Sequence, residues 1–263
     1  MSSRDYVFQN SQHDTEQIRL LAIEDEFDPD SCRRLSQIGI AAGWSALEIG
    51  AGMGSMMSWM AAQVGAKGKV VAVDIDTRFI ETTNLSNVEV QCLDVAKDKL
   101  STSCFDVCHA RYVLLHICDW QQAIDNIWQS LKPGGWLVIE EPDFQTSKAV
   151  NYSASESVNR VNTAILTMYE SMTIDPYFGS HLPQIFQQLA AEEIAIETYL
   201  PLANGKSPIS QIMKMSAQHL AERYVATGVC SADDVEQYMM AADDPLAWAY
   251  YYTTVATIGR KPQ

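Results

Sequence analysis

Between positions 48 and 95 the chain carries groups that together could hold a nucleoside-like cation. The run Glu48-Ile49-Gly50-Ala51-Gly52-Met53-Gly54 places a glycine at every second position. A backbone without Cβ atoms turns sharply and lets a ligand approach its peptide units. Asp74 follows twenty positions after Gly54 (74 − 54), and Asp94 twenty after Asp74 (94 − 74). A carboxylate at Asp74 can accept both hydroxyls of a ribose in a bidentate contact, and one at Asp94 can accept an adenine amino N–H. Val95 adds a backbone N–H and an apolar flank. Both aspartates could instead cap helices, and the glycine run could be an ordinary tight turn.

The charge of Glu48 narrows the ligand. An acid two residues before the glycines would repel a pyrophosphate, and it suits a ligand bearing an ammonium group and a positively charged sulfur. The dinucleotide fingerprint G-x-G-x-x-G requires glycine or alanine at position 55, where this chain has Ser55.

Further candidates lie downstream. His109 falls within a predicted strand and reads as packed, whereas His116 follows that strand and could face a substrate or be structural. Glu140, Glu141 and Asp143 close another strand, and alternation lets at most two of them face a cleft. Each could be a general base, a substrate anchor or a solvated strand end. Tyr6, Phe8 and Arg19 could fold over a ligand from the amino-terminal segment, with a surface salt bridge as the other role for Arg19. Met168, Met172, Ile209, Ile212 and Met213 form a packing stripe that could also wall an apolar pocket.

The elements that must position these groups are readable from periodicity and breakers. Thr15 to Ile23 and Pro29 to Gly39 read as two short helices ahead of a sheet. From Trp44 short apolar runs alternate with helical stretches, the pattern of βαβ units and a parallel sheet. Strands are predicted at Ser45 to Ile49, Lys69 to Asp74, Val88 to Cys92, Phe105 to Ala110 and Trp136 to Glu140. Helices fall at Ser55 to Val64, Thr77 to Thr83 and Trp120 to Leu131, the last stopped by Lys132-Pro133-Gly134-Gly135. Val158, Val161, Ile165, Met168 and Met172 mark an inserted helix. A helix from His181 to Ala191, a strand from Ile194 to Leu200 and helices at Ile209 to Thr227 and Ala232 to Ala242 follow. Trp248 to Ile258 reads as one buried aromatic and β-branched strand. One domain is expected: a helical cap over 1–43, a ligand-binding core over 44–144, and lid helices inserted at 145–178 and 205–245.

Composition bounds the function. A formal net charge of −15 would repel a phosphate backbone, which argues against a nucleic-acid partner. The longest uncharged stretch, Ile49 to Ala66, holds four glycines, two serines and a glutamine, so it reads as a loop entering a helix and not as a membrane segment. Six cysteines without C-x-x-C or metal-type clustering point to reduced, mostly buried thiols, no metal and a cytoplasmic location. The sequence is compatible with a homodimer without specifying one.

The stretches ALEIGAGMGSMMSWMA, VVAVDID, LDVA, FDVCHARYVLLHI and LKPGGWLVIEEPDF together resemble the class I S-adenosylmethionine-dependent methyltransferases of the small-molecule type. The resemblance is strong from Gly43 to Phe144 and weak in the cap and the closing strand. It implies an α/β fold, a doubly wound, seven-stranded, mostly parallel sheet with an antiparallel last strand, plus the amino-terminal helical cap and inserted lid helices. It implies S-adenosyl-L-methionine as cofactor and S-adenosyl-L-homocysteine as product. By resemblance Glu48, Gly50, Ala51, Gly52 and Gly54 form the loop, Asp74 with Ile75 holds the ribose, and Asp94 with Val95 holds adenine. Ala110 and Arg111 line the methionine portion, with Tyr6 and Arg19 closing from the cap. The expected reaction is SN2 methyl transfer to an O, N or C atom of a small, partly apolar molecule, in which the protein chiefly supplies alignment. His116, Glu141 and Asp143 are the candidate catalytic groups. A cofactor-binding protein that catalyses a non-methylating reaction or serves as a binding module is the alternative, and a protein-methylating enzyme a third.

Overall fold

The structure, a computed structural model, describes residues 13–80, 84–150 and 153–263, with side chains from Glu16 onward. Tyr6 and Phe8 lie outside the described residues. The chain opens with one continuous helix, α1 (His13–Gln37), where two short helices are expected. Pro29 stands inside it. A proline removes one N–H and crowds the preceding turn, but side chains hold the helix on either side of it. Asp28 and Ser31 accept from the Arg111 guanidinium at 2.6 and 2.9 Å, and Arg34 donates to Glu140 at 2.9 Å and Glu197 at 3.0 Å.

The βαβ pattern follows. β1 (Ser45–Ile49), α2 (Ser55–Val64), β2 (Lys69–Asp74), β3 (Val88–Cys92), β4 (Phe105–Arg111), α3 (Trp120–Ser130) and β5 (Leu131–Asp143) come in order. β1, α2, β2 and β3 have the expected boundaries, β4 and α3 lie within one residue of them, and β5 extends at both ends beyond the expected Trp136 to Glu140. Instead of a helix from Thr77, a single 3-10 turn spans Thr77–Phe79, capped by the Asp76 carboxylate; residues 81–83 of the expected helix lie outside the described residues. Next come β6 (Lys148–Val150), α4 (Ser155–Ser171), α5 (Phe178–Gln188), β7 (Glu192–Tyr199), β8 (Leu202–Asn204), α6 (Pro208–Ala226), α7 (Ala232–Ala241), β9 (Trp248–Tyr250) and β10 (Thr253–Arg260).

One sheet has seven strands in the order β3-β2-β1-β4-β5-β10-β7. β1 to β5 pair in parallel. β10 runs against β5, because Gly134 N–H donates to Lys261 C=O while Lys261 N–H donates to Gly135 C=O, joining the start of one strand to the end of the other. Strand order reverses between β1 and β4, so their carboxyl ends flank a crevice. Beneath it Ala46, Val70, Ala72 and Val107 pack with Met56, Met57, Met60 and Val64 of α2.

The closing segment differs from expectation. Trp248 to Ile258 is two strands in different sheets, because Tyr251 turns its N–H to Pro201 C=O and its C=O accepts from Thr146 Oγ1. β9 joins β6 and β8 in a second, three-stranded antiparallel sheet. Trp248 and Tyr250 are consequently exposed, while Tyr252 is buried.

The chain divides into two compact units, one of residues 1–26, 142–180 and 198–255 and the other of 27–141, 181–197 and 256–263. The second holds the glycine loop. The first holds α4, α6 and α7, where Val158, Val161 and Ile165 are buried together with Ile209, Ile212 and Val235. Among the described residues no helix is long and apolar enough to cross a membrane. All six cysteines are free, and Cys92, Cys104 and Cys118 are exposed, so fewer thiols are buried than expected.

The Arg34–Glu140 pair is almost wholly buried, at 3% and 1% side-chain exposure. Removing one partner of such a pair strands the other charge. Arg34→Ala is therefore expected to lower unfolding stability by about 3–5 kcal/mol in urea titrations, and a loss below about 1 kcal/mol, the range of exposed pairs, contradicts the burial.

Candidate functional site

The carboxyl end of β1 turns through three left-handed glycines, with φ of 69° at Gly50, 56° at Gly52 and 92° at Gly54. L-residues rarely adopt that region. Gly50 N–H donates to Val73 C=O at 2.8 Å, and Gly54 N–H to Ala51 C=O at 2.8 Å, which ties the bend to β2 before α2 begins. The glycines answer to different neighbours. A Cβ on Gly50 would lie 2.2 Å from Val113 Cγ2, and one on Gly54 2.9 Å from Ile80 Cγ2, whereas one on Gly52 would meet nothing within 4 Å. Gly52 thus faces open space.

Asp74 borders that space. Its carboxylate accepts N–H from Gly52 at 3.0 Å and from Asp76 at 2.9 Å. Burial pushes its carboxyl above the usual range, against these two N–H donors and that of Ile75. A carboxylate has about four acceptor positions, so acceptor capacity remains for hydroxyls. Ile75 next to it is 61% exposed, unusual for so apolar a residue. Asp94 stands one strand over, since Leu93 N–H donates to Asp74 C=O at 3.0 Å. The Asp94 carboxylate accepts from Ala96 N–H at 3.0 Å and pairs with exposed Lys97 at 2.5 Å; both aspartates therefore do brace local turns. Val95 is buried, and its C=O takes the Asn126 amide at 2.9 Å. A bare bend, an acid at its edge, a second acid on the adjacent strand and an apolar flank fit an adenosyl group.

Glu48 is engaged inside the protein. Its buried carboxylate bonds His109 Nδ1 at 2.7 Å, and His109 Nε2 bonds Glu140 at 3.3 Å. Arg34 completes the row on Glu140. Burial alone would pull His109 down, but the two carboxylates outweigh it and lift its pKa to about 9. Burial pushes Glu48 up, whereas Glu140 is lowered because His109 and Arg34 overcome its burial. Each ring nitrogen faces a carboxyl group, an arrangement that suits the doubly protonated ring which the raised pKa of His109 favours. His109 is packed, as its place in a strand predicts; its two acid partners were not foreseen, although β1–β4 register sets Glu48 directly beside it.

The other predicted residues are also internally engaged. Arg111 is half-buried and bonds Asp28 and Ser31 of α1, and Ala110 is buried between β1 and β5. Glu141 is fully buried. Its Oε1 accepts N–H from Val113 at 3.0 Å and Leu114 at 2.6 Å, at the head of the 3-10 turn Leu114–His116 that carries half-buried His116. In the other unit, Asp143 accepts N–H from Gln145 at 2.9 Å and the Ser180 hydroxyl. None of the three acids at the end of β5 is a solvated strand end. Arg19 forms a buried ion pair with Glu16 at 2.7 Å, not a surface one. Tyr6 lies outside the described residues. Val113, which packs against Gly50, was missed; its only sequence signal is an apolar residue directly after the FDVCHARY stretch. Among the described residues no group of three or more His, Cys, Asp or Glu side chains could hold a metal ion.

Residues 47–139, which contain the loop, Asp74, Asp94 and His109, match the family described as a methyltransferase domain. A 37.1 kDa transposon protein of Streptomyces fradiae is 27% identical over 232 residues, 84% of this chain and 65% of that protein. Methyltransferase str2 of Strobilurus tenacellus is 28% identical over 218 residues, 78% of each chain. Among solved structures, Haemonchus contortus phosphoethanolamine N-methyltransferase 2, in complex with phosphomonomethylethanolamine and S-adenosylhomocysteine, shares the fold with a TM-score of 0.60 and 18% identity. That match covers 100% of this chain and 61% of the H. contortus chain. The chain thus spans just under two thirds of the length of the first and last of these relatives.

The raised pKa of His109 makes stability pH-dependent. A folded-state pKa above the ordinary 6.5 adds stability that is complete below pH 6.5 and lost as pH rises through about 9. The stability advantage of the wild type over His109→Gln, measured by denaturant unfolding, is expected to shrink across pH 6.5–9. A difference that stays constant there would show that His109 is neutral.

Proposed function

We propose that this class I S-adenosylmethionine-dependent methyltransferase transfers its methyl group to an O, N or C atom of a small-molecule acceptor. The observation that carries the reading is the open, left-handed bend at Gly52 with the Asp74 carboxylate bonded to its N–H at 3.0 Å. S-adenosyl-L-methionine, when bound, supplies a methyl group already activated on a sulfonium. Asp74 would hold the ribose hydroxyls through its remaining acceptor positions, with Ile75 as an apolar flank. Asp94 and Val95 would border adenine, and the Asp94–Lys97 pair, being exposed, yields at little cost. Gly50, Ala51, Gly52 and Gly54 would admit the backbone to close contact.

A small acceptor is supported by the charge of −15, which disfavours nucleic acid. The H. contortus enzyme, whose structure contains a small phosphorylated amine, points the same way. Segments 145–178 and 205–245, which include α4, α6 and α7, are assigned as insertions in one methyltransferase domain. Displacement at an activated sulfonium depends mainly on proximity and orientation, so engagement of Glu141 and Asp143 with internal partners does not impede it.

Asp74→Ala is expected to weaken S-adenosylhomocysteine binding about tenfold or more, as loss of a hydrogen-bonding carboxylate does, in titration calorimetry; unchanged affinity would remove the ribose assignment. In an acceptor screen with isotopically labelled cofactor, S-adenosylhomocysteine is expected to form in proportion to a methylated product. Binding without any labelled product from a broad small-molecule panel would favour a non-methylating role.

A further inference from the structure

Glu141 is fully buried on β5, next to Glu140 of the His109 row, yet its carboxyl is bonded to a backbone turn. Oε1 is committed to the N–H groups of Val113 and Leu114, and Oε2 is buried without a hydrogen-bond partner. The backbone that Glu141 grips is held in a disfavoured shape. Tyr112 has φ of 57°, in the left-handed region, and its own N–H is fixed to Glu140 C=O at 2.9 Å. Immediately after it, Val113 lies so close to Gly50 that a methyl group there would come within 2.2 Å of Val113 Cγ2.

We propose that Glu141 is a positioning residue: by clamping the Val113–Leu114 backbone it holds the Val113 side chain against Gly50 and so fixes the shape of the cofactor loop. This rests on the reading of that loop as the S-adenosylmethionine site. The chain of contact is continuous, from the β5 carboxyl through two N–H groups to the turn, and from the turn's first side chain to the first glycine of the bend. Packed interiors transmit such displacements because they leave few voids to absorb them. The carboxyl serves as an acceptor and is ill suited to take a proton from a substrate. Burial, only partly offset by the turn's N–H groups and reinforced by Glu140, lifts its pKa to about 8, so near neutral pH it is largely the neutral acid. An amide offers the same acceptor oxygen.

Three variants separate the roles: Glu141→Gln keeps the acceptor, Glu141→Met removes it at similar volume, and Val113→Ala removes the contact with Gly50. Calorimetry with S-adenosylhomocysteine reads the loop, and amide hydrogen exchange of residues 111–116 in the free protein reads the turn. The expected result is binding within about threefold of wild type for Glu141→Gln, and weakening of roughly tenfold or more for Glu141→Met, the scale of a lost buried acceptor. Exchange at Val113 and Leu114 is expected to rise in the methionine variant alone. Val113→Ala is expected to weaken binding with the turn still protected, and the combined Glu141→Met, Val113→Ala loss to fall short of the sum of the two. Should Glu141→Met not fold, strong binding by Val113→Ala overturns the proposal. So does wild-type affinity in Glu141→Met, or a glutamine variant as impaired as the methionine one. If the wild type itself fails to bind S-adenosylhomocysteine, the reading of the loop falls, an outcome distinct from the failure of Glu141 to position it.

Discussion

The bend between β1 and α2 works only if nothing fills it, and three left-handed glycines keep it clear. Two of them are bare because the protein presses on them, Val113 on Gly50 and Ile80 on Gly54; the middle one is bare toward open space. Packing thus clamps both ends of the bend and leaves Gly52 as its accessible point. Everything assigned to the site is positioned from there. Asp74 is oriented by Gly52 N–H, Asp94 follows because β3 lies beside β2, and the turn after β4 reaches the bend through Val113.

Beside this bend runs a row of buried charge from Glu48 through His109 and Glu140 to Arg34. Buried ions are costly unless paired on every side. Here the row alternates in sign, joining β1, β4, β5 and α1. Arg111 adds a second link from β4 to α1 through Asp28. These links explain how α1 continues past Pro29, and they convert residues that look ligand-directed in the sequence into a frame.

The sheet and its glycine loop were legible because their signals are local. Gly50 to Gly54 demand positive φ, Lys132-Pro133-Gly134-Gly135 follows α3, and β-branched runs mark strands. The strand limits of β1, β2 and β3 coincide with expectation residue for residue. What escaped was set by partners distant in sequence. Glu48 resembles a ligand acid until β4 brings His109 to 2.7 Å. Trp248 and Tyr250 suggest a buried strand, but Tyr251 is drawn aside by Pro201 and Thr146, which places them in a separate sheet. Of the acids closing β5, alternation indicates that neighbours diverge, but it cannot reveal that Glu140 meets an imidazole and Glu141 a backbone turn. Charge type was readable; its partner was not.

The open backbone at Gly52 and the acids at the tips of β2 and β3 are assigned to an adenosyl group. The decisive measurement is a crystal structure of this chain with S-adenosylhomocysteine. Ribose hydroxyls are expected within hydrogen-bond distance of the Asp74 carboxylate, adenine beside Asp94 and Val95, and the rest of the ligand passing over Gly52. Density for the ligand elsewhere, with Gly52 and Asp74 untouched, would contradict that assignment.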